Sequence, residues 1–213
     1  MQFVMSYSCG KDSTLALHRM LEAGHRPVGL LVMVNAAAGR SYFHGADVPL
    51  LEKFSHALGL PLFLCPSRGE DYHLAFEEGA RRAKAAGAEA ICFGDIDIAE
   101  NRAWGVARCE AVGLSWEYPL WQQGRRAVVE EILEKGYRCL VKGIDNRLLP
   151  REILGQPLSP QLLRQMEGCG IDLCGENGEY HTLAVDGPVF RRPLSYTLGE
   201  RLDFGDHSVI DIQ

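Results

Sequence analysis

The chain has 213 residues, of which 46% are hydrophobic and 23% charged, and its formal net charge is −6. This composition suits a packed core, and the length suits one large or two small domains. The acidic balance argues against non-specific binding to nucleic acid or an anionic membrane, which needs a basic face. The sequence has no apolar run of roughly 20 residues and no signal-peptide pattern. We therefore expect a cytoplasmic protein that binds neither membrane nor nucleic acid.

Apolar runs alternate with helix-length amphipathic segments through the first half of the chain. We predict strands at Phe3–Ser8, Val28–Val34, Pro61–Cys65 and Ala90–Gly94, and helices at Asp12–Ala23, Leu50–Leu58, Glu70–Ala86 and Glu100–Val112. This order predicts an α/β fold, a parallel sheet with helices on both faces. Ligands of such sheets bind at the carboxyl ends of the strands. Three polar segments follow predicted strands there: Ser8–Ser13, Asn35–His44 and Gly94–Asp97.

A domain boundary is predicted near residues 113–117, which divides the chain into domains at 1–115 and 116–213. The second part has a predicted helix at Arg125–Glu134, a strand at Arg138–Lys142 and a helix from Ser159-Pro160 to Met166. Its tail, Thr182–Gln213, indicates loop and β structure. We therefore expect a smaller C-terminal α+β domain.

The seven cysteines are odd in number and irregularly spaced. Three of them (Cys65, Cys92 and Cys139) fall within apolar strand-like runs, which favours buried reduced thiols over disulfides. A metal site at the close pair Cys169 and Cys174 would need two more ligands. Only His181 is a nearby candidate.

The segment Ser8-Cys9-Gly10-Lys11-Asp12-Ser13 lies where the first strand passes into the first helix. Backbone amides converge at such a point, and the helix dipole favours an anion. Asp12 would repel a phosphate unless Mg²⁺ lay between the two. A simple capped helix start is the alternative from composition alone, and the spacing fits neither the Walker A nor the dinucleotide-binding pattern.

A second polar segment, Gly175-Glu176-Asn177-Gly178-Glu179-Tyr180-His181-Thr182, lies between apolar segments. Two carboxylates, an amide, a phenol, an imidazole and a hydroxyl fall within eight positions. Such a concentration favours a functional site, and a solvated loop or polar hairpin is the alternative.

The first segment resembles the S-G-G-x-D-S PP-loop of N-type ATP pyrophosphatases, except that Cys9 replaces the first glycine. A cysteine there would be strained at positive φ. Both segments together resemble the diphthine–ammonia ligase family, whose G-E-x-G-E-Y-[HE]-T motif matches Gly175–Thr182. The family's D-x-P-x-F element matches Asp186–Phe190. Shorter matches cover Phe93–Ile96, Asn101-Arg102, Pro119–Trp121 and Leu154-Gly155.

The resemblance implies a Rossmann-like PP-loop fold of the adenine nucleotide alpha hydrolase kind. It also implies ATP-dependent amidation with ATP and Mg²⁺: a carboxylate is adenylated, pyrophosphate leaves, and ammonia displaces AMP. In archaeal and eukaryotic members the carboxylate belongs to diphthine, a modified histidine on translation elongation factor 2. A homodimer is left open.

The resemblance also implies roles for individual residues. Lys11, Asp12, Glu176 and Glu179 would be catalytic, with Asp12 on the metal and one glutamate as general base. The cofactor would be bound by Ser8, Cys9, Gly10, Lys11, Asp12, Ser13, Asn35, Gly94 and Asp95. The substrate would be bound by Arg102, Glu176, Asn177, Gly178, Glu179, Tyr180 and His181. Arg102 could equally be an exposed helix arginine, and His44 could close over the nucleotide, although a solvated loop is favoured.

Three rival functions remain open from the sequence. The enzyme could act on another carboxylate in an organism without diphthamide. A tRNA sulfur transferase would share the PP-loop, but the acidic balance and the irregular cysteines argue against it. A non-catalytic nucleotide-binding module is the third alternative.

Overall fold

The computed structural model describes residues 1–213, which form two sheets. The strands of the first sheet are β1 (Gln2–Ser6), β2 (Arg26–Asn35), β3 (Arg40–Ser41), β4 (Leu62–Ser67), β5 (Ala90–Cys92) and β6 (Ser115–Glu117). Five of them are parallel in the order β4-β2-β1-β5-β6, and the short β3 pairs antiparallel with the end of β2. The predicted parallel sheet is therefore confirmed.

Four helices cover this sheet: α1 (Lys11–Glu22), α2 (Val48–Leu58), α3 (Tyr72–Ala85) and α4 (Ala99–Val112). Successive residues of β1 point to opposite faces. Phe3 and Met5 pack in the same core cluster as α1 and α2, whereas Val4 packs in the cluster that contains residues of α3 and α4. Helices therefore lie on both faces, as predicted. No helix of the protein combines the length and apolar character needed to cross a membrane.

The second sheet is antiparallel and consists of β7 (Arg138–Asp145), β8 (Tyr180–Asp186), β9 (Leu198–Asp203) and β10 (His207–Ile212). Its order is β8-β7-β10-β9. Helices α5 (Arg125–Glu134) and α6 (Pro160–Gly168) and a 3-10 turn at Arg151–Ile153 accompany it. The Ser159 side chain caps α6 by accepting from the Leu162 amide at 3.1 Å. The larger core cluster runs from Phe3 to Ile212 and so includes side chains of both sheets.

The structure adds to or corrects the sequence-based prediction at three places. The first strand ends at Ser6 rather than Ser8, because the Ser8 amide and hydroxyl bond to the Ser13 hydroxyl instead of a neighbouring strand. The predicted boundary at 113–117 contains β6, which extends the first sheet. The polar segment at Gly175–Thr182 passes into β8 at Tyr180, because its last residues pair with β7, Tyr180 with Ile144 and Thr182 with Val141.

The order of the parallel strands creates a crevice beside β1. The chain proceeds from β1 toward β2 and β4 on one side, and through β5 and β6 on the other. The loops that follow β1 and β5 therefore diverge at the carboxyl ends of two neighbouring strands. Open α/β sheets bind their ligands at such a switch point.

Candidate functional site

A cavity of about 460 Å³ lies at this switch point. Polar side chains from several parts of the chain line its wall, among them the loop after β1, the loop after β5, and the segment that enters β8. The predicted site residues that line it are Ser8, Lys11, Asp12, Ser13, Gly94, Asp95, Glu176, Gly178, Tyr180 and His181. The fold therefore brings both polar segments of the sequence to one site.

The loop after β1 is a compact turn built from its own polar groups. The Ser8 hydroxyl lies 3.1 Å from the Ser13 hydroxyl and accepts from the Gly10 amide at 3.3 Å. Thr14 donates to the Gly10 carbonyl at 2.8 Å. Cys9 adopts a φ of 69°, in the left-handed region that favours glycine. The first glycine of the PP-loop that this segment resembles is therefore replaced here by a cysteine that carries backbone strain.

Strand β8 holds this loop from the other half of the chain. The Thr182 hydroxyl accepts from the Lys11 amide at 3.1 Å, and the Ala184 amide donates to the Cys9 carbonyl at 2.9 Å. The Lys11 ammonium donates to Asp12 at 2.8 Å and to the Cys174 carbonyl. Burial acts most strongly against this charge, but Asp12 together with Cys174 and Tyr180 outweighs it, and the pKa of Lys11 is raised well above its usual range. The Lys11 ammonium is therefore a fixed positive charge at the loop after β1, the phosphate loop Ser8–Ser13.

The two glutamates of the second polar segment have different surroundings. Glu176 lines the cavity, and burial, followed by the charge of Asp12, raises its pKa to about 7. Glu179 is buried and faces its own loop: its carboxylate accepts from the amides of Asp172 at 3.1 Å and Asn177 at 3.0 Å. It does not line the cavity. Glu179 therefore stabilises the conformation of its own loop. Glu176 is the glutamate placed to contact a ligand in the cavity.

Ligand atoms of Asp12, Cys174 and Glu176 lie within 4.8 Å of one another. Two of the three are carboxylates, the ligands that Mg²⁺ prefers, so Asp12 and Glu176 fit that ion. The thiol does not suit it, since burial raises the pKa of Cys174 and keeps the sulfur protonated. Cys169 is exposed and belongs to no such group. The cysteine-pair metal site considered from the sequence is therefore not formed.

An aromatic wall, which the sequence analysis did not identify, closes one side of the cavity. It consists of Tyr72, Phe76, Phe93 and Trp104. The Phe76 ring lies 5.0 Å from that of Trp104 and 6.1 Å from that of Phe93. These residues come from α3, α4 and the end of β5, so no local spacing reveals them. A flat apolar base could stack on such a wall.

His44 also lines the cavity, which corrects the favoured interpretation of its segment as a solvated loop. Its Nδ1 lies 2.6 Å from the Thr182 carbonyl, so that nitrogen is the donor. The ring covers Gly10, where an added Cβ would lie 2.6 Å from the imidazole, and its centroid is 5.2 Å from that of His181. Burial first, and then His181, lower the pKa of His44 to about 3. Gly10 thus gives a neutral imidazole room above the phosphate loop.

Several predicted residues lie outside the cavity wall: Cys9, Gly10, Asn35, Arg102, Asn177 and Glu179. Cys9 and Gly10 form the loop behind it. Asn35 accepts from the amides of Ala37 and Ala38 in its own turn. The Arg102 guanidinium lies over the Trp121 ring at 5.1 Å. The structure therefore does not bring these side chains to the site.

Comparisons with known proteins identify a family for this chain. The family model described as the diphthamide synthase N-terminal domain matches residues 1–116, and that of the C-terminal domain matches residues 125–213. The chain is 25% identical to the diphthine–ammonia ligase of Bos taurus, over 88% of this chain and 79% of that protein. It is also 25% identical to that of Danio rerio, over 91% and 86%.

A weaker structural likeness has a TM-score of 0.47 at 12% identity. It is to the crystal structure titled as a predicted subunit of tRNA methyltransferase from Methanocaldococcus jannaschii, and it covers 91% of this chain and 99% of that chain.

The two family matches together extend over both sheets and both polar segments. The chain therefore belongs to the diphthamide synthase family and is an ATP-dependent ligase.

Proposed function

We propose that the protein adenylates a carboxylate with ATP and then transfers ammonia to it, forming an amide and releasing AMP and pyrophosphate. One observation carries the proposal: the phosphate loop and the segment with Glu176 line the same cavity. Activation and amide formation need nucleotide and carboxylate within bonding distance. Because its curated relatives are diphthine–ammonia ligases, we propose diphthine as the carboxylate, a modified histidine on a translation elongation factor.

Residues 1–115 form the nucleotide side in this proposal. The hydroxyls of Ser8 and Ser13 and the amides at the start of α1 would bind the leaving pyrophosphate, with Lys11 as a fixed positive charge. The aromatic wall would hold the adenine, and Gly94 and Asp95 would border it. Breaking ATP between the α and β phosphates places the developing charge on pyrophosphate, where these donors converge.

Asp12 would hold Mg²⁺, with Glu176 within reach of the same ion. When bound, the metal would neutralise charge between the carboxylates and the phosphates. This accounts for an acidic side chain in a phosphate loop. Cys174 contributes its carbonyl to Lys11 rather than its sulfur to the metal.

Residues 116–213 form the acyl side. Glu176 is the glutamate that faces the cavity, so we assign to it the binding of ammonia and the uptake of its proton. Tyr180 and His181 would border the acyl group. Glu179 would shape the loop through its bonds to Asp172 and Asn177. This assignment selects one of the two glutamates that the sequence left equivalent.

The test supplies purified protein with Mg²⁺ and ATP, ammonium, and an elongation factor that carries diphthine. The expected products are AMP, pyrophosphate and the amide, in equal amounts. Release of ADP and phosphate would contradict cleavage at the α phosphate. Omission of the elongation factor serves as the control, since adenylation needs a carboxylate.

The same assay separates the two remaining alternatives. A ligase for a different carboxylate would form AMP with a small-molecule carboxylate but not with the diphthine-bearing protein. A non-catalytic module would bind ATP and form no AMP under any condition. A homodimer also stays a prediction, which the molar mass in solution would decide.

A further inference from the structure

Arg125, the first residue of α5, has side-chain contacts with two of the loops at the cavity. Its Nε and Nη2 donate to the two carboxylate oxygens of Asp97, each at 2.8 Å. Its Nη1 donates to Asp172 at 2.8 Å and to the side-chain oxygen of Asn177 at 3.2 Å. One guanidinium therefore joins the loop after β5 to the loop that precedes β8.

The residues that accept hydrogen bonds from Arg125 are close neighbours or hydrogen-bond partners of residues in the cavity wall. Asp97 lies two positions beyond Asp95, which lines the cavity. The Asp172 carboxylate in turn accepts from the amides of Cys174 and Glu176, both at 3.0 Å. Arg125 thus fixes the carboxylate on which the backbone around Glu176 is folded.

We propose that Arg125 is a positioning residue that holds the Glu176 loop against the loop after β5. This inference rests on the proposed function, because it gives Arg125 its effect through Glu176. The planar guanidinium offers five N–H donors in a fixed fork, which allows a two-point bond to Asp97 and further bonds to the other loop. A lysine retains the charge but lacks that fork. The substitution Arg125→Lys therefore separates the effect of the guanidinium's hydrogen-bond geometry from that of its positive charge.

The neighbouring Arg126 provides a matched control. It forms ion pairs with Glu130 and Glu167, and its side chain is 56% exposed, against 28% for Arg125. Exposed pairs of this kind contribute little to stability. Neither partner of Arg126 lines the cavity. Removal of either arginine lowers the charge by one unit, but only the first removes a bond between the two loops.

The experiment compares the variants Arg125→Gln, Arg125→Lys and Arg126→Gln with the wild-type protein. Kinetics of AMP formation give kcat and KM for ATP, and hydrogen–deuterium exchange of the ligand-free protein reports on segment 172–178. Arg125→Gln should lower kcat by about tenfold or more, because a displacement of the reacting group by about 1 Å can cost about 100-fold. KM for ATP should change by less than about threefold, and exchange should increase within segment 172–178 only. Arg126→Gln should match the wild type in all three measurements.

Arg125→Lys decides between geometry and charge: it should keep a low kcat and fast exchange in segment 172–178. Full recovery by lysine would overturn the inference, as would an Arg125→Gln variant with wild-type kcat and exchange. Faster exchange throughout the chain would also overturn it, since that would show general destabilisation. If the wild-type protein forms no AMP, the proposed function fails. The exchange measurement then decides by itself whether Arg125 holds the loop.

Discussion

The Thr182 hydroxyl accepts a hydrogen bond from the Lys11 amide at 3.1 Å, although 171 positions separate the two residues. That amide belongs to the first turn of α1, whose N–H groups have no partner within the helix. The Thr182 carbonyl accepts from His44 at 2.6 Å. A single residue of the second sheet therefore holds both the phosphate loop and the segment that covers it.

Replacement of Thr182 by valine should destabilise the protein. Valine keeps the shape but leaves the buried Lys11 amide without its acceptor, which costs about 1–3 kcal/mol. Urea unfolding should show the lower midpoint. Thr197→Val, at an exposed position, is the control and should leave the midpoint unchanged. Equal midpoints for the two variants would show that the Thr182 bond contributes nothing.

Substitution of the two glutamates should have opposite consequences. Glu179→Gln replaces an acceptor oxygen with an N–H group beside the donors of Asp172 and Asn177. It should lower the free energy of unfolding by about 1–3 kcal/mol. Glu176→Gln, in the cavity wall, should abolish amide formation without lowering that free energy, because a neutral amide avoids the burial that raises the pKa of Glu176. Denaturant titration and the AMP assay on both variants give the answer, and a reversed pattern would exchange their roles.

Cys9→Gly and Cys9→Ala should differ in stability. Both remove the thiol, but only glycine relieves the left-handed backbone at a φ of 69°. The glycine variant should therefore be more stable than the alanine variant by about 1 kcal/mol. Thermal unfolding of the pair measures this difference directly. An alanine variant as stable as the glycine variant would argue against strain at this position.

Asp12→Asn should abolish AMP formation without unfolding the chain. Asparagine has the same size, but it weakens both the attraction for a divalent cation and the pairing with Lys11. The control is Asp206→Asn, at a side chain that is 80% exposed, and it should retain full turnover. Circular dichroism checks the fold of both variants. Turnover by Asp12→Asn close to the wild-type rate would exclude a metal role for this carboxylate.

Lys142 should make stability depend on pH in the alkaline range. It is buried, its ammonium donates to the Ile210 carbonyl, and burial lowers its pKa to about 8 despite the nearby Asp211. Between about pH 8 and its ordinary value of 10.5 the unfolded chain binds the extra proton. The free energy of unfolding should therefore rise by roughly 1.4 kcal/mol for each unit of increasing pH in this range, relative to that of a Lys142→Met variant. Below pH 8 the difference in free energy of unfolding between the wild type and Lys142→Met should stay constant.

Denaturant titrations of wild type and Lys142→Met at several pH values measure that gain. Because the variant keeps every other titrating group, including Arg40 and Asp47 nearby, the comparison isolates the lysine. A stability difference that is flat from pH 8 to 10 would show an ordinary pKa for Lys142 in the folded state.

The sequence was most informative where a pattern is local. Alternating apolar and amphipathic segments predicted the parallel sheet, and α5 was predicted at its observed bounds. The serine cap predicted the start of α6, as observed. By contrast, β6 was not predicted. It has only three residues, which is too short for an alternating hydrophobic pattern to be recognised. Strand β8 was predicted only in part: the tail expected to contain β structure began at Thr182, whereas the strand begins at Tyr180, inside the polar segment.

The phosphate loop and the second polar segment could both be recognised in the sequence, because each is a contiguous run of characteristic residue types. The sequence by itself could not separate Glu176 from Glu179, foresee the aromatic wall, or place His44 above Gly10. Those features depend on which side chains face a common cavity, and that follows from the crossing of the strands and the docking of the second sheet. Only the tertiary structure brought Thr182 to Lys11 and Arg125 to two loops, because each contact joins positions far apart in the chain.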